Sequence, residues 1–489
     1  MIGGSCSFIP TNVRIHGCPA RIRRRSQDSI GPRRGIRLAM TDDVAARPDT
    51  ETGDDRTPLR RAISGKMLFL FILGDVLGAG IYALVGEIAG EVGGAIWVPL
   101  VVALVMALLT AGSYAELVTK YPQAGGAAVF ARQAYRSSLV SFLVGFCMLA
   151  AGVTSAAGLA LAFAGDYFKT FVNAPTTVTA LVFLVAIAAL NARGISESVR
   201  ANVVMTVIEV SGLVLVVVLA GIVLGRGDGE PHRVFEFDSS TTPALAVLSG
   251  ALLAYYSFVG FETSANVAEE VRDVRRVYPK ALFGSLITAG VVYVLVGLAV
   301  STVVSPDELA GSSGPLLEVV TIADVGAPDQ LFSLIALIAV ANGALLTMIM
   351  ASRLTFGMAR DGLLPTPLAK VLPGRRTPWA SIIATTAIAM VLSATGSVAA
   401  LAETVVLLLL FVFLSTNVAV LVLRRERADT DHFRAWTIVP VLAIVTCIVL
   451  LTQQNAETWL RAGLLMLVGL ALFGLARATG SGKHAEDRG

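Results

Sequence analysis

Gly74-Asp75-Val76-Leu77-Gly78-Ala79-Gly80-Ile81 lies inside an apolar run, 67–90, of the length of a membrane helix. Glycines interrupt that run where a spanning helix should be continuous. A second stretch, Ser257-Phe258-Val259-Gly260-Phe261-Glu262, does the same inside the run 244–267. A broken helix in hydrocarbon strands backbone N–H and C=O groups, each at a cost of several kcal/mol. Such breaks persist only where they are buried in protein or line a cavity. Two of them at corresponding positions in the halves of one chain mark a binding site near the bilayer midplane.

The composition agrees. Of 489 residues, 55% are hydrophobic and 15% charged, with a mean hydropathy of +0.74. Soluble domains carry about 25% charged residues, so the deficit describes a polytopic membrane protein. A net charge of +3 gives no reason to expect a nucleic-acid partner. Cys6 and Cys18 lie in a polar tail and Cys147 and Cys447 in apolar runs, so no spacing suggests a disulfide framework, a metal site or a cofactor. His16, His232, His432 and His484 all fall in polar segments or at the edge of an apolar run. A histidine proton relay within the membrane is thereby excluded.

Residues 1–62 hold no spanning segment and are expected to be a disordered cytoplasmic tail, and 479–489 a cytoplasmic C-terminal tail. The first tail is arginine-rich before Met40 and acid-rich after it. Either Met40 is the natural start or the basic part lies on anionic lipid.

Twelve apolar stretches suit a bilayer core: 66–90, 95–118, 138–167, 175–191, 199–225, 244–268, 280–304, 329–357, 378–396, 400–423, 434–452 and 456–477. With the amino terminus inside, the inner loops carry clusters such as Arg272, Arg275, Arg276 and Lys280, or Arg424, Arg425 and Arg427. The outer loops carry only Lys169, Arg226, Arg233 and Arg461. The positive-inside rule then makes both termini cytoplasmic. The first broken helix opens five spans (about 66–225) and the second opens the next five (about 244–423), leaving two extra helices at 434–477. Five is odd, so the halves run in opposite directions and form an inverted repeat.

At the first break the helix restarts near Ile81 with unpartnered N–H groups at the positive end of its dipole. Gly78, Ala79, Gly80 and Ile81 are therefore placed to hold a carboxylate; close helix packing at small residues is the alternative. At the second, a helix ending near Tyr256 leaves free carbonyls, and Tyr256, Ser257 and Val259 can hold an ammonium group. Gly260 relieves the turn, and Phe258 or Tyr256 can cover the ligand; a simple kink with packing aromatics is the alternative. Donors for a carboxylate a few ångströms from acceptors for an ammonium describe an α-amino acid.

These residues resemble the amino acid–polyamine–organocation superfamily of permeases, particularly bacterial amino acid permeases near the cationic amino acid transporter branch. Gly78-Ala79-Gly80-Ile81 looks like its carboxylate-binding motif. Tyr114-Ala115-Glu116-Leu117 with Tyr121-Pro122 and Gly125-Gly126 resembles its motif after the second span. Phe258-Val259-Gly260-Phe261-Glu262 with Glu269-Glu270-Val271 resembles the sixth-helix signature. Arg353, Met358-Ala359-Arg360-Asp361-Gly362 and Leu364-Pro365 resemble the close of the eighth span. The resemblance runs from about 62 to 425. It implies an all-α, LeuT-like fold of twelve transmembrane helices, discontinuous in helices 1 and 6. It also implies alternating access in the inner membrane, an amino acid held between those helices, and no catalysis. Two departures stand out. Asp273-Val274-Arg275-Arg276 replaces the family's Asn-Pro, and Glu209 falls near the helix-5 position where proton-coupled relatives carry lysine.

Intramembrane carboxylates cost about 2.5–3.5 kcal/mol each on insertion scales, so Asp75, Glu209 and Glu262 each need a reason. Asp75 and Glu209 are the candidate proton carriers, expected to face each other and share a proton; stitching helices together is the alternative. Glu262 either neutralises a cationic side chain or orients the unwound backbone. Asn342 either faces the site or bonds between helices. Glu87, Glu116, Glu403 and Arg353 lie nearer span ends and are expected at gates or helix contacts. No nucleophile–base pair, phosphate loop or catalytic domain supports an enzyme. A polyamine or amine permease and a non-transporting amino acid sensor on the same fold are the remaining alternatives.

Overall fold

The structure is a computed structural model. It describes residues 63–478 apart from 79, 124, 194–197, 239–241, 327, 373–376 and 427–430, and only the backbone of 198–201. The expected tails, and with them Met40, lie outside the described residues. Among the described residues every regular element is a helix, and extended pairing is confined to two isolated bridges. Among the described residues ten helical stretches, some of them interrupted, are long and apolar enough to cross a membrane. Two shorter apolar helices, Trp379–Thr395 and Ile438–Thr452, occupy the stretches expected for the ninth and eleventh spans.

The first expected span is two helices, α1 (Gly65–Leu77) and α2 (Gly80–Val92). Ser64 caps α1, its Oγ accepting from Met67 N at 3.4 Å. Next come α3 (Trp97–Lys120), the short amphipathic α4 (Gly126–Tyr135), α5 (Ser138–Phe163), α6 (Asp166–Lys169), α7 (Thr176–Arg193) and α8 (Ser198–Arg226). The sixth expected span is also broken, into α9 (Pro243–Ser257) and a 3-10 helix, Phe261–Glu270. After it run α10 (Val274–Val303), α11 (Pro306–Gly311), α12 (Pro315–Ala323), α13 (Asp329–Arg360), α14 (Trp379–Thr395), α15 (Val398–Leu423), α16 (Ile438–Thr452) and α17 (Ala456–Ala478).

The helices α11 and α12 lie in what reads from sequence as a loop. A capping box starts α11: Ser305 Oγ accepts from Glu308 N, and Glu308 Oε2 accepts from Ser305 N at 3.3 Å. The Ser305 hydroxyl, with that N–H, holds the Glu308 carboxyl below its usual range. A Cβ on Gly86 would fall 2.3 Å from Leu309 O, so α11 lies directly on α2.

Small residues set the interior. On α5, Gly152 meets Ala351 of α13 and Gly158 meets Leu401 of α15, each with ordinary van der Waals room for a Cβ. Close approach at small residues is the usual way membrane helices associate. The outside is apolar instead: Val182 is 64% exposed, Val207 60% and Leu460 64%. A surface of this kind suits lipid rather than water.

The two broken segments run antiparallel and are tied at both ends. Ile63 N donates to Glu270 O at 2.9 Å and Arg272 N to Ile63 O at 3.0 Å. At the far end Asp238 N donates to Val92 O at 3.2 Å and Ala95 N to Glu236 O at 3.2 Å. Between these ties α1 packs on the 3-10 helix and α2 on α9.

Candidate substrate site

The first helix stops at Leu77 because Gly78 leaves helical geometry; its N–H still reaches Gly74 O at 3.3 Å. The break exposes carbonyls. The Tyr293 hydroxyl on α10 lies 2.6 Å from Val76 O, 2.8 Å from Leu77 O and 3.0 Å from Ser257 O. Its one proton therefore donates to one carbonyl at a time, at the meeting point of both breaks. Helix α2 then starts at Gly80, where the first N–H groups have no intrahelical acceptor. At the other break the last turn of α9 tightens, with Phe258 N bonding Tyr255 O and Val259 N bonding Tyr256 O, both at 3.0 Å. Gly260 follows at φ +126°, a conformation that favours glycine.

Side chains then brace the opened backbone. Glu262 Oε2 accepts from Gly260 N at 2.9 Å. The Thr263 hydroxyl lies 2.7 Å from Gly260 O and also within reach of Asp75 Oδ2, so its one proton donates to one of them at a time. The breaks touch at two points: a Cβ on Gly80 would fall 2.7 Å from Ser257 Cα, and one on Gly260 2.7 Å from Asp75 O.

A cavity of about 90 Å³ opens where the breaks meet, bordered by Asp75, Gly78, Gly80, Tyr256, Ser257, Val259, Gly260 and Glu262. One water needs roughly 10–15 Å³ by the same measure, so the space suits a small metabolite. Its far wall is apolar, with Met148 and Leu159 on α5, Met350 and Leu354 on α13, and Val405 and Leu409 on α15. The Tyr256 and Ser155 hydroxyls are bonded at 2.8 Å on that wall. Ser257 Oγ is buried and makes no protein hydrogen bond. Asp75 and Glu262 are the acidic groups of this lining, which includes no Lys or Arg.

The cavity continues into a vestibule of about 870 Å³ toward the Ile63 end, sharing Asp75, Met148, Thr263, Met350 and Leu354 with it. At the opposite end aromatic and polar side chains meet. Tyr167 OH donates to Tyr82 O at 3.0 Å, and the Tyr82 and Tyr167 rings both pack against Phe332 at 6.3 Å. Asp166 and Ser313 bond reciprocally there, at 3.0 and 2.9 Å. Among the described residues the vestibule opens the cavity toward the Ile63 end.

The structure chooses between the two readings of Phe258 and of Asn342, and places Ile81 and Glu209 away from the cavity lining. Phe258 is fully buried with its ring edge-on to Tyr293 at 5.2 Å, outside the cavity lining, which leaves Tyr256 as the aromatic at the cavity. Asn342 bonds Asn202 Oδ1 at 3.0 Å between helices and does not line the cavity; its neighbour Gly343 does. Ile81 is buried away from the lining. Glu209 is fully buried within electrostatic reach of Asp75, but its carboxyl oxygens make no hydrogen bond, so the two acids do not share a proton directly. Ala79 lies outside the described residues. Ser155, Thr263 and Thr347 were missed. Polar residues in otherwise apolar helical runs were the available signal.

Of the end-of-span groups, Glu116 forms a bidentate pair with Arg424, Nε to Oε1 at 2.7 Å and Nη2 to Oε2 at 2.5 Å. Glu403 accepts from Asn455 and Thr458, both at 2.8 Å, and Arg353 lines the vestibule.

An all-helical body with a lipid-suited exterior and a cavity at two abutting helix breaks, open to one side, has the architecture of a polytopic membrane transporter. A model of the amino acid permease family matches residues 63–468, and the chain belongs to that family. It is 26% identical to a branched-chain amino acid permease of Bacillus subtilis (strain 168) over 454 residues, 88% of this chain and 94% of that protein. It is 28% identical to the vacuolar cationic amino acid transporter 4 of Arabidopsis thaliana over 423 residues, 78% of this chain and 68% of that protein. It is 31% identical to a low-affinity putrescine importer of Escherichia coli (strain K12) over 293 residues, 58% of this chain and 63% of that protein. The family and these relatives are permeases, not enzymes.

Proposed function

We propose that the protein is a secondary carrier that moves an amino acid across the cytoplasmic membrane by alternating access. The observation that carries the reading is the contact of the two breaks, Gly80 on Ser257 and Gly260 on Asp75, beside one cavity. The N–H groups at the start of α2 bind the carboxylate there. The carbonyls of Tyr256, Ser257 and Val259 bind the ammonium, with Ser257 Oγ as a further polar partner. The apolar wall receives the side chain, and Tyr256 is the lid. Glu262, bonded to Gly260 N, orients the backbone, and the site favours a neutral apolar side chain. Asp75 and Glu209 carry the coupling proton, unless the cycle is an exchange.

The topology that goes with this reading has twelve spans, counting the two shorter apolar helices, and both termini cytoplasmic. The antiparallel tie of the two broken segments supports a five-plus-five inverted repeat over about 66–225 and 244–423, with two further helices at 434–477. The vestibule at the Ile63 end then faces the cytoplasm.

Purified protein in sealed vesicles, given a panel of labelled amino acids with and without an imposed proton gradient, tests the reading. Saturable uptake of one or more members supports it. Binding without net flux would make the protein a sensor. An amine permease is the second reading, favoured by the two carboxyls in the lining. Competition by decarboxylated analogues as strong as that by the parent amino acids would establish it.

A further inference from the structure

A second cavity has no part in the transport reading. It is a groove of about 440 Å³ on the outside of the bundle, between α3, α10 and the segment Phe433–Trp436 that leads into α16. Its floor is Val105, Leu108 and Leu109, and the Phe283 and Phe433 rings meet beside it at 5.9 Å. One flank is sealed where α16 packs on Gly112; a Cβ there would fall 2.8 Å from Val439 Cγ1. Val105 is 51% exposed and Trp436 82%, so the groove faces out of the protein.

The groove carries a cation. Arg434 lines it and is exposed. Lys280, also exposed, precedes Phe283 by one helical turn on α10 and so shares its face. The segment bearing Arg434 is held fast. Phe433 N donates to Thr119 Oγ1 at 3.1 Å, Ala435 N to Glu116 Oε2 at 3.0 Å, and Arg424 Nη2 to Ala435 O at 2.6 Å. Ala435 is thereby pinned inward while Arg434 and Trp436, on either side of it, stay exposed. An exposed tryptophan beside exposed cations, at the mouth of an apolar trough, complements an anionic headgroup with an acyl chain.

We propose that this groove binds an anionic glycerophospholipid of the bilayer. The phosphate lies between Arg434 and Lys280, and one acyl chain lies along Val105, Leu109 and Phe283. Because the Arg434 segment is bonded to both Glu116 and Arg424, the lipid braces the junction of α3, α15 and α16. The inference is independent of the transported substrate.

Trp436 is the probe. In a variant with Trp97, Trp379 and Trp459 replaced by Phe, its fluorescence is measured in phosphatidylcholine vesicles. These contain an equal mole fraction of acyl-brominated phosphatidylglycerol or acyl-brominated phosphatidylcholine. Stronger quenching by the anionic lipid is expected, with its enrichment falling roughly fivefold for each cation removed in R434Q and K280Q. Equal quenching by the two lipids, or an anionic preference unchanged in the double variant, would overturn the proposal. Trp97 Nε1 bonds Val234 O at 2.9 Å, so the triple replacement can fail to fold. Native mass spectrometry of protein with all four tryptophans is then decisive. Phosphatidylglycerol adducts lost in R434Q/K280Q support the site. Adducts equal in both proteins, or a dimer whose contact covers the groove, reject it.

Discussion

Gly80, the first residue of α2, rests on Ser257, the last residue of α9, so closely that a Cβ on Gly80 would stand 2.7 Å from the Ser257 Cα. The start of one half-helix is thus stacked on the end of another. The positive pole of α2 and the negative pole of α9 come together beside the cavity. Both poles border the same cavity, whose lining also holds Asp75 and Glu262. Separation of charge within one small ligand is what such a junction recognises.

The closeness of these contacts makes glycine mandatory. In Gly260→Ala the new Cβ meets Asp75 O at 2.7 Å, and the φ of +126° strains any other residue by about 1–3 kcal/mol. Gly80→Ala pushes Ser257 away from α2. Both variants should still reach the membrane but lose uptake by about tenfold or more. Gly221→Ala has open space around its Cβ and should transport like the wild type. Uptake in vesicles, normalised to inserted protein, checks this; normal transport by Gly260→Ala contradicts it.

Glu262 separates the neutral-substrate reading from the cationic one. Its Oε2 accepts from Gly260 N at 2.9 Å, a bond that a glutamine carbonyl can also accept. Glu262→Gln should therefore keep most of the uptake. Glu262→Ala leaves a buried N–H unsatisfied, at a cost of about 1–3 kcal/mol, and should lose it. Equal loss in both, with lysine or arginine as the best substrate of the wild type, would mean that the charge itself binds the ligand.

Much of this site is legible in the sequence, and the reason is local. Glycines at 74, 78, 80 and 260 interrupt apolar runs, and that pattern needs no knowledge of neighbours. Side-chain direction after a break is different. The 3-10 turn following Ser257 rotates Phe258 onto Tyr293 and delivers Thr263 to Asp75, and no helical period carries across such a turn. The ties of Ile63 to Glu270 and of Val92 to Asp238 join residues far apart in sequence. The short helices α11 and α12 escape notice because they are too brief to leave a periodic signal. Asn342 was open to two readings, and its partner Asn202 decides between them.

The buried acids make a prediction about coupling. Asp75 donates nothing when charged and accepts from Thr263, whereas the Glu209 carboxyl has no hydrogen-bond partner although it is fully buried. An unpaired charge in that position is costly, so Glu209 is the group expected to carry the proton. Glu209→Gln mimics the protonated form and should abolish accumulation driven by a pH gradient while sparing exchange of labelled for unlabelled substrate. Asp75→Asn should weaken both, since it also alters the Thr263 contact at the cavity. Retained gradient-driven uptake in both variants rejects a proton role for either.

Glu116 and Arg424 test the scaffold rather than the site. Their side chains are 2% and 10% exposed and joined by two parallel hydrogen bonds. Ala435 N adds a third bond to the carboxylate at 3.0 Å. Removing one partner leaves a buried charge uncompensated, which typically costs 3–5 kcal/mol, or about that much here. Glu116→Ala and Arg424→Ala should each lower the thermal midpoint in detergent substantially. The double Ala variant should lose less than the sum of the two, because neither orphaned charge remains. Arg424→Lys should not restore the wild-type midpoint, since an ammonium cannot present the planar fork that meets both carboxylate oxygens. Thermal midpoints of the four variants, measured by intrinsic fluorescence, check the set. Strict additivity in the double variant would show that the pair contributes no coupling and that the junction of α3, α15 and α16 is held by its other contacts, such as the bond from Phe433 N to Thr119 Oγ1.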